Sequence, residues 1–493
     1  MNASGEGGSG RGRAGAEDGS DWAPATVDTE RDPLVTRPKA DFGGARLAWL
    51  IFLALGVGVL LPWNTFLTAF DFFSNAFPHV PFEFVVSLAY NYPSIVVLAA
   101  SIKLGPKFSF TSRILVALFI DFVVLVSVPL IVGSSLLSVK TQLYLVLSGV
   151  TLTGIATSAQ FGAIMGLSSL FPSDFTTAVM AGNGIAGLLV AGLRALTKVA
   201  YSADVPGYRA AARWYFFLSA GVIASCIAFF LVLLKLPITK YYFEVNDNHK
   251  EAARIASQRR TAGIANSTQN LAASMRAAAN DPKRSLGPLT PPTTPSGLRT
   301  ESALVDAEVE EAPAVSASAM DVFRKMQGDA WCVFYVFFVT LSLFPGLITE
   351  IQPVSVHIFG TNGWFQICLI STFMLGDLIG RSLPQIWIGL TPNNYWIAVI
   401  ARTAFYPLIA FCIRPHYFDQ SDIIPIFIVL CLALSNGYLG TLAMMFGPQR
   451  VEESEKEVGG IIMSFFLNAG IFVAVHAAVG VLYVVTGVFN LFS

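Results

Sequence analysis

Eleven apolar segments, each about long enough to cross a lipid bilayer, dominate this sequence. Their approximate bounds are 46–70, 84–104, 113–136, 141–170, 175–200 and 213–235, then 329–351, 363–389, 395–413, 422–447 and 458–489. A hydrocarbon core about 30 Å thick requires about 20 apolar residues in a helix. Backbone N–H and C=O groups find no water in that layer, so each segment is expected to be helical. The sequence therefore predicts an all-α polytopic membrane protein with eleven transmembrane helices in a 6+5 arrangement, residues 46–235 and 329–489.

Charged residues are few and unevenly distributed. They make up 13% of the chain, whereas soluble domains contain about 25%. Of the 63 charged residues, 14 lie in residues 1–46 and 21 in residues 236–328. This distribution excludes a soluble enzyme, a DNA-binding domain and a secreted disulfide scaffold.

The cysteines and histidines give no sign of a metal site or a cofactor. All five cysteines fall inside apolar stretches without a CxxC pair, and the five histidines are scattered without HExxH spacing. We therefore expect no metal and no cofactor, and no nucleic acid among the partners.

Two polar segments lie outside the apolar blocks. Residues 1–45 are rich in Gly, Ser, Asp and Glu, which predicts a disordered N-terminus. Residues 236–328 include the run PLTPPTTPSG, which cannot sustain a helix, and are expected to form a largely disordered loop. A surface helix over residues 248–279, which are rich in Ala, Arg and Gln, is the alternative for part of this loop.

Lysine and arginine residues next to the spans predict that the N-terminus and the large loop are cytoplasmic. On this orientation the cytoplasmic face receives Arg37, Lys39, Arg46, Lys103, Lys107, Arg113, Lys235, Lys240, Arg324, Lys325, Arg450 and Lys456. The opposite face receives Lys140, Lys198, Arg209, Arg213 and Arg414.

The eighth segment carries two opposite charges in FMLGDLIGRSLPQ, residues 373–385. Asp377 and Arg381 are four residues apart, so they share a helix face and can pair. Charges at membrane depth are costly, which favours a role in binding a polar solute in a hydrated cavity. A self-neutralising structural ion pair is the alternative. Gly376 and Gly380 form a neighbouring stripe that would let another helix approach closely.

Polar groups in other segments are further candidates for a solute site. In LLPWNTFLTAFDFF, residues 60–73, Trp63 offers an aromatic face and Asn64 an amide, a pair suited to a flat heterocycle. An interfacial anchor is the alternative for Trp63. Gln160 lies among small residues in the fourth segment, while Asp121 and Arg402 are intramembrane charges without an assigned partner. The run MAGNGIAG, residues 180–187, is expected to serve helix packing.

Four of these motifs, taken in order, resemble the equilibrative nucleoside transporter family. They are LPWNTFLTAFDFF, GNGIAG, GDLIGRS and SNGYLGTLAMMFGP, and LRALTK at residues 193–198 is similar to plant-type members. The resemblance implies a fold similar to the major facilitator superfamily and transport by alternating access. It also implies a nucleoside site formed by Leu60, Trp63, Asn64, Leu67, Asp377 and Arg381. Family members have a glutamine at the position that is Phe161 here, so Gln160 matches with a shift of one residue.

We therefore predict a transporter of purine and pyrimidine nucleosides, with nucleobases as further substrates. No Walker sequence is present, and nothing points to an enzyme. A membrane receptor, an intramembrane enzyme or a solute carrier with another substrate are the alternatives. Transport is either facilitative or coupled to protons, for which Asp121, Glu350 and Asp377 are candidate carboxyl groups. The plasma membrane is the first expected location, and a vacuolar or lysosomal membrane the second.

Overall fold

The computed structural model describes most of the chain. The described residues are 44–78, 80, 82–132, 134–200, 205–279, 318–353, 364–413 and 421–486. The segment predicted to be a disordered N-terminus lies outside them except for its last two residues, and the Pro-rich run of the loop lies outside them entirely.

In the described part of its first half, the chain forms six long helices and one short one. They are α1 (Ala45–Thr68), the short α2 (Phe70–Ala76), α3 (Phe82–Leu104), α4 (Phe110–Ile131), α5 (Val139–Ser168), α6 (Ser173–Ala200) and α7 (Val205–Leu233). Two of them begin at a serine cap. Ser109 Oγ accepts from the N–H of Ser112, and Ser138 Oγ accepts from the N–H of Thr141, each at 3.2 Å. Such caps give a partner to N–H groups that have none within the helix.

A long helix, α8 (Pro237–Ala279), occupies the first part of the loop between the halves. The structure corrects the prediction of a largely disordered loop for these residues. The buried side chains Ile238, Asn246 and Ala253 recur every seven or eight positions, which places them on one helix face. Phe243 of α8 stacks on Phe110 of α4, with 6.1 Å between the ring centroids. Packing against the first half therefore orders a segment whose composition is polar.

The second half contains α9 (Ala319–Leu343), the short α10 (Gly346–Thr349), α11 (Trp364–Ser382), α12 (Tyr395–Ala401), α13 (Phe405–Ile413), α14 (Ile423–Phe446) and α15 (Lys456–Thr486). A 3-10 turn, Arg402–Ala404, joins α12 to α13, and the two helices together form one span. Within the described ranges, 11 helical segments are long and apolar enough to cross a membrane, six before α8 and five after it. The predicted 6+5 arrangement is confirmed.

Both halves repeat one packing scheme. The most extensive contact of α1 is with α6 and that of α3 is with α5, while α9 packs on α15 and α11 on α14. In each half the first span therefore packs on the fifth, and the second span on the fourth. The chain forms two helical bundles built alike.

Glycines let several of these helices touch through their backbones. A Cβ atom at Gly182 of α6 would lie 2.1 Å from the carbonyl oxygen of Leu53 in α1. A Cβ at Gly380 of α11 would lie 2.4 Å from the carbonyl oxygen of Leu434 in α14. No side chain fits at either place, so the packing role predicted for the glycines of both motifs is confirmed.

The two halves meet tightly on the face that carries α8, which we call the loop face. A Cβ at Gly460 of α15 would lie 2.6 Å from the carbonyl oxygen of Met165 in α5, and Ser169 Oγ donates to the carbonyl of Lys456 at 2.7 Å. These contacts close the space between the bundles on the loop face.

An ion cluster reinforces this closure. Glu457, at the start of α15, accepts from Arg113 Nη2 of α4 at 2.5 Å and from Lys250 Nζ of α8 at 2.7 Å. The carboxylate side chain is only 3% exposed, so water screens these pairs weakly. This loop-face ion cluster, Arg113–Glu457–Lys250, joins the first half, the second half and the loop helix.

Candidate functional site

A cavity of about 70 Å³ lies between the two bundles. Its lining comes from both halves: Val59, Leu60, Tyr90, Thr157, Ser158, Phe161, Asn183, Phe337, Arg381, Leu467, Asn468 and Ile471. The mixture is mainly apolar and aromatic, with a few hydroxyls, two amides and one guanidinium. This is the usual composition of a small-molecule site, in which a few polar groups fix the orientation of the ligand.

Arg381 is the charged group of the cavity lining, and Asp377 holds it in place. Arg381 Nε donates to Asp377 Oδ2 at 2.7 Å along one face of α11, which confirms the predicted pairing. The other carboxyl oxygen, Oδ1, accepts from Asn436 Nδ2 of α14 at 2.7 Å. Both oxygens of Asp377 are thus engaged by the protein, and Arg381 is the member of the pair that faces the cavity.

The polar chain continues to a second buried arginine. Thr340 Oγ1 of α9 donates to Asn436 Oδ1 at 2.7 Å, and Arg402 Nη2 donates to Thr340 Oγ1 at 2.5 Å. Arg402 is 2% exposed. Arg402, which had no assigned partner in the sequence, is therefore connected to Asp377 through two neutral side chains. Thr340 gave no signal in the sequence, because a threonine in an apolar run is ordinary.

The predicted residues of the first span divide into two groups. Leu60 lines the cavity, and the ring of Trp63 stacks on Tyr90, with 4.3 Å between centroids and 29° between planes. Tyr90 itself lines the cavity, so Trp63 supports the wall from behind. Asn64 and Leu67 are partly buried on the same helix and lie outside the cavity lining.

Gln160 and Phe161 occupy different environments. Phe161 lines the cavity, whereas Gln160 is fully buried and lies outside the lining. Neither amide atom of Gln160 has a hydrogen-bond partner among the described residues. The one-residue shift noted in the sequence thus coincides with a change of face on α5.

Several lining residues were not predicted. Asn183 was predicted only as part of a packing motif, yet its amide lines the cavity from α6, and Asn468 lines it from α15. Asn183 is 6% exposed, and its Oδ1 accepts no hydrogen bond within the described part of the chain. A polar residue flanked by glycines at a helix crossing was the available signal for Asn183. Asn468 had none.

Two helical bundles with a partly polar cavity between them are the architecture of a membrane transporter. Solved structures agree on the fold. The chain is similar to the major facilitator superfamily transporter FucP, in an outward conformation, with a TM-score of 0.52 and 12% identity over 90% of this chain and 93% of that one. It is also similar to the proton:xylose symporter XylE, with a TM-score of 0.56 and 11% identity over 87% of each chain.

Sequence relatives identify the family. Residues 147–481 match the family model described as nucleoside transporter. Equilibrative nucleotide transporter 1 of Arabidopsis thaliana is 30% identical, over 88% of this chain and 85% of its own. Equilibrative nucleoside transporter 1 of Homo sapiens is 27% identical, over 86% of this chain and 94% of its own. The chain belongs to the nucleoside transporter family, and the resemblance seen in the sequence is confirmed.

Proposed function

We propose that this protein carries purine and pyrimidine nucleosides across a membrane, with the cavity between the bundles as their binding site. Nucleobases are proposed as further substrates. The observation that carries the proposal is a cavity lined from both halves, with Arg381 on one side and Asn183 on the other. A solute held by both bundles is released when they rock apart on the opposite face.

The lining suits a neutral ligand with a flat ring and many hydrogen-bonding groups. Phe161, Phe337 and Tyr90 offer aromatic faces for a base. Amides both donate and accept, so Asn183 and Asn468 match the mixed edges of purines and pyrimidines. Arg381 donates only, which suits ribose oxygens and base carbonyls. Asp377 acts by orienting Arg381. Trp63 acts through Tyr90.

The remaining assignments stay predictions. Direct contact of Asn64, Leu67 and Gln160 with the nucleoside would require a rearrangement of the first and fourth spans during the transport cycle. We propose proton-linked transport, with facilitated diffusion as the alternative. The plasma membrane is the proposed location, before a vacuolar or lysosomal membrane, and a fluorescent fusion imaged beside markers of each membrane tests the order.

Uptake of radiolabelled adenosine and uridine into vesicles that contain the purified protein tests the substrate class. We expect saturable uptake of both, and exchange of preloaded label against unlabelled nucleoside outside. Vesicles prepared without protein are the control. Binding of either nucleoside without flux would contradict the proposal and favour the receptor alternative, and flux of neither would favour a carrier of another solute.

A further inference from the structure

One buried carboxyl group in the first bundle is surrounded by hydroxyl groups and has no cation beside it. Asp121 of α4 is completely buried, and no ion pair joins it to a basic side chain among the described residues. The buried hydroxyls of Thr153 and Thr157, on the adjacent helix α5, lie beside the carboxyl group as its hydrogen-bond partners. Buried charges in proteins are usually paired with an opposite charge, so a carboxyl group held by two neutral hydroxyls needs an explanation.

The other buried carboxylates around the interior do not share this feature. Asp377 is bonded to Arg381, Asp329 to Arg450 at 3.0 Å, and Glu457 to Arg113. Glu350, the third candidate carboxyl group named from the sequence, is exposed. Of the five carboxyl groups compared in this paragraph, Asp121 is the one that is buried and has no cation among the described residues.

The two threonine side chains can accommodate Asp121 in either protonation state. When the carboxyl group is ionised, both threonine hydroxyls can rotate to donate to it. When it is protonated, its O–H can donate to one threonine oxygen while the other hydroxyl still donates to the carboxyl. The exchange needs rotation about single bonds and no cation, so the group is suited to bind and release a proton repeatedly.

The group adjoins the substrate cavity. Thr157 belongs both to this group and to the cavity lining, and Tyr90 lines the cavity beside Thr157 and Asp121. Cys226 of α7 and Leu118 of α4 both lie against Gly58 of α1, and the Cys226 thiol donates to the carbonyl of Ala54 at 3.3 Å. Thr157 and Tyr90 thus connect the cavity lining to Asp121.

We propose that Asp121 is the proton-binding residue of this transporter, with Thr153 and Thr157 as its hydrogen-bond partners. The inference rests on the proposed function and adds the coupling site to it. A proton from water in the cavity binds the carboxylate on one face of the membrane. It leaves to water on the other face after the bundles rock, so one proton crosses with each nucleoside and nothing else is consumed.

Vesicles with a pH gradient and a clamped membrane potential test this assignment. A wild-type carrier moving one proton per nucleoside should accumulate adenosine about tenfold against a gradient of one pH unit. An Asp121→Asn variant, which keeps the shape but binds no proton, should show an accumulation ratio of one. It should retain exchange of labelled against unlabelled adenosine. Asp247→Asn on the exposed surface of α8 makes the same chemical change and should behave as wild type.

Three outcomes would overturn the proposal. Gradient-driven accumulation by Asp121→Asn at the wild-type level would remove Asp121 from coupling. Wild-type exchange without any accumulation would mean that no proton is coupled, while nucleoside transport itself would stand. Accumulation driven by a sodium gradient, and lost in Asp121→Asn, would assign the site to sodium. Absence of both exchange and binding in the wild type would instead refute the proposed function.

A second variant guards against misfolding of the first. Thr153 is fully buried and lies outside the cavity lining, so Thr153→Val removes one partner of the carboxyl group without touching the substrate site. We expect this variant to shift the pH of half-maximal uptake by about half a unit, the size of one hydrogen bond, while adenosine affinity is unchanged. An unshifted pH profile would count against the assignment.

Discussion

At the residue scale, both carboxyl oxygens of Asp377 accept hydrogen bonds from protein donors. Its role is therefore to orient and neutralise Arg381. Removing either partner leaves a buried charge without compensation, which costs about 3–5 kcal/mol in comparable sites. Removing both side chains eliminates that cost, but it also removes the guanidinium group that faces the cavity. The structural and the binding roles of this pair can therefore be separated by mutation.

The first prediction compares three variants of the pair. Asp377→Leu and Arg381→Leu should each abolish uptake, partly through loss of folded protein. The double variant should reach the membrane in near-normal amount, because no unpaired charge remains, but it should bind adenosine poorly and transport none. Surface abundance, adenosine Kd and uptake are measured together. Near-normal uptake and affinity in the double variant would show that the pair is only structural.

A second prediction concerns Asn183, whose amide lines the cavity with an unpaired oxygen. Asn183→Ala should weaken adenosine binding about tenfold, the value of one hydrogen bond to a buried ligand group. Asn248→Ala, at an exposed position of α8, is the matched control. Equal Kd values for Asn183→Ala and wild type would remove this residue from the site.

The site was only partly predictable at this scale. Asp377, Arg381 and Leu60 could be found because charges, or a motif, mark them in an apolar chain. Phe161, Phe337 and Tyr90 could not, because an aromatic residue in a transmembrane helix looks the same whether it faces lipid, a neighbour or a cavity. The same limit explains why Gln160 was predicted as a site residue. Its polarity marked it in the sequence, although Phe161 is the residue that lines the cavity.

At the scale of the helices, the spans could be predicted from the sequence, but the contacts of the loop helix α8 could not. The 6+5 spans were predictable because lipid allows only helices of sufficient apolar length. The partners of α8 were not, since its apolar stripe is narrow and its composition resembles that of a solvated linker. Its aromatic side chains hold α8 against the first half: Phe243 packs on Phe110, and Tyr242 contacts Phe171 at 4.6 Å between ring centroids.

The third prediction tests the direct backbone contact between α1 and α6. Gly182→Ala places a methyl group where the carbonyl oxygen of Leu53 lies 2.1 Å away, so the helices must separate. We expect a loss of about 1–3 kcal/mol, seen as a lower Tm of the purified protein. Gly221→Ala in α7 has no atom within 4 Å of the added methyl group and should leave Tm unchanged or slightly raised. Equal Tm values for the two variants would contradict the close packing.

At the scale of the whole molecule, the closed loop face is the main feature that sequence spacing could not reveal. Residue spacing shows which side chains share a helix, but not which helices of different bundles meet. Arg113, Lys250 and Glu457 are separated by more than a hundred residues at each step, and each alone looks like an ordinary surface charge. Only their assembly around one buried carboxylate shows a link between both bundles and the loop.

The fourth prediction tests that link. Lys250→Met removes the contact between the loop helix and Glu457 while leaving the pair with Arg113 intact. We expect faster opening of the loop face, measured as faster hydrogen exchange at the start of α15 and faster nucleoside exchange. The increase should be modest, about two- to fivefold, because Lys250 is partly exposed. Lys240→Met, at an exposed position of α8, is the control, and identical exchange rates in both variants would exclude a role for Lys250.

The buried charges of the membrane spans have an electrical consequence. Asp121, Asp377, Arg194, Arg381 and Arg402 are all buried. A proton on Asp121 would add one positive charge to this set, and the rocking of the bundles would then carry the added charge through the membrane field. Such a step is worth about 2.3 kcal/mol for each 100 mV. Transport of an uncharged nucleoside would thus generate a current, and the resting potential of the cell would set how far its nucleoside pool can be concentrated.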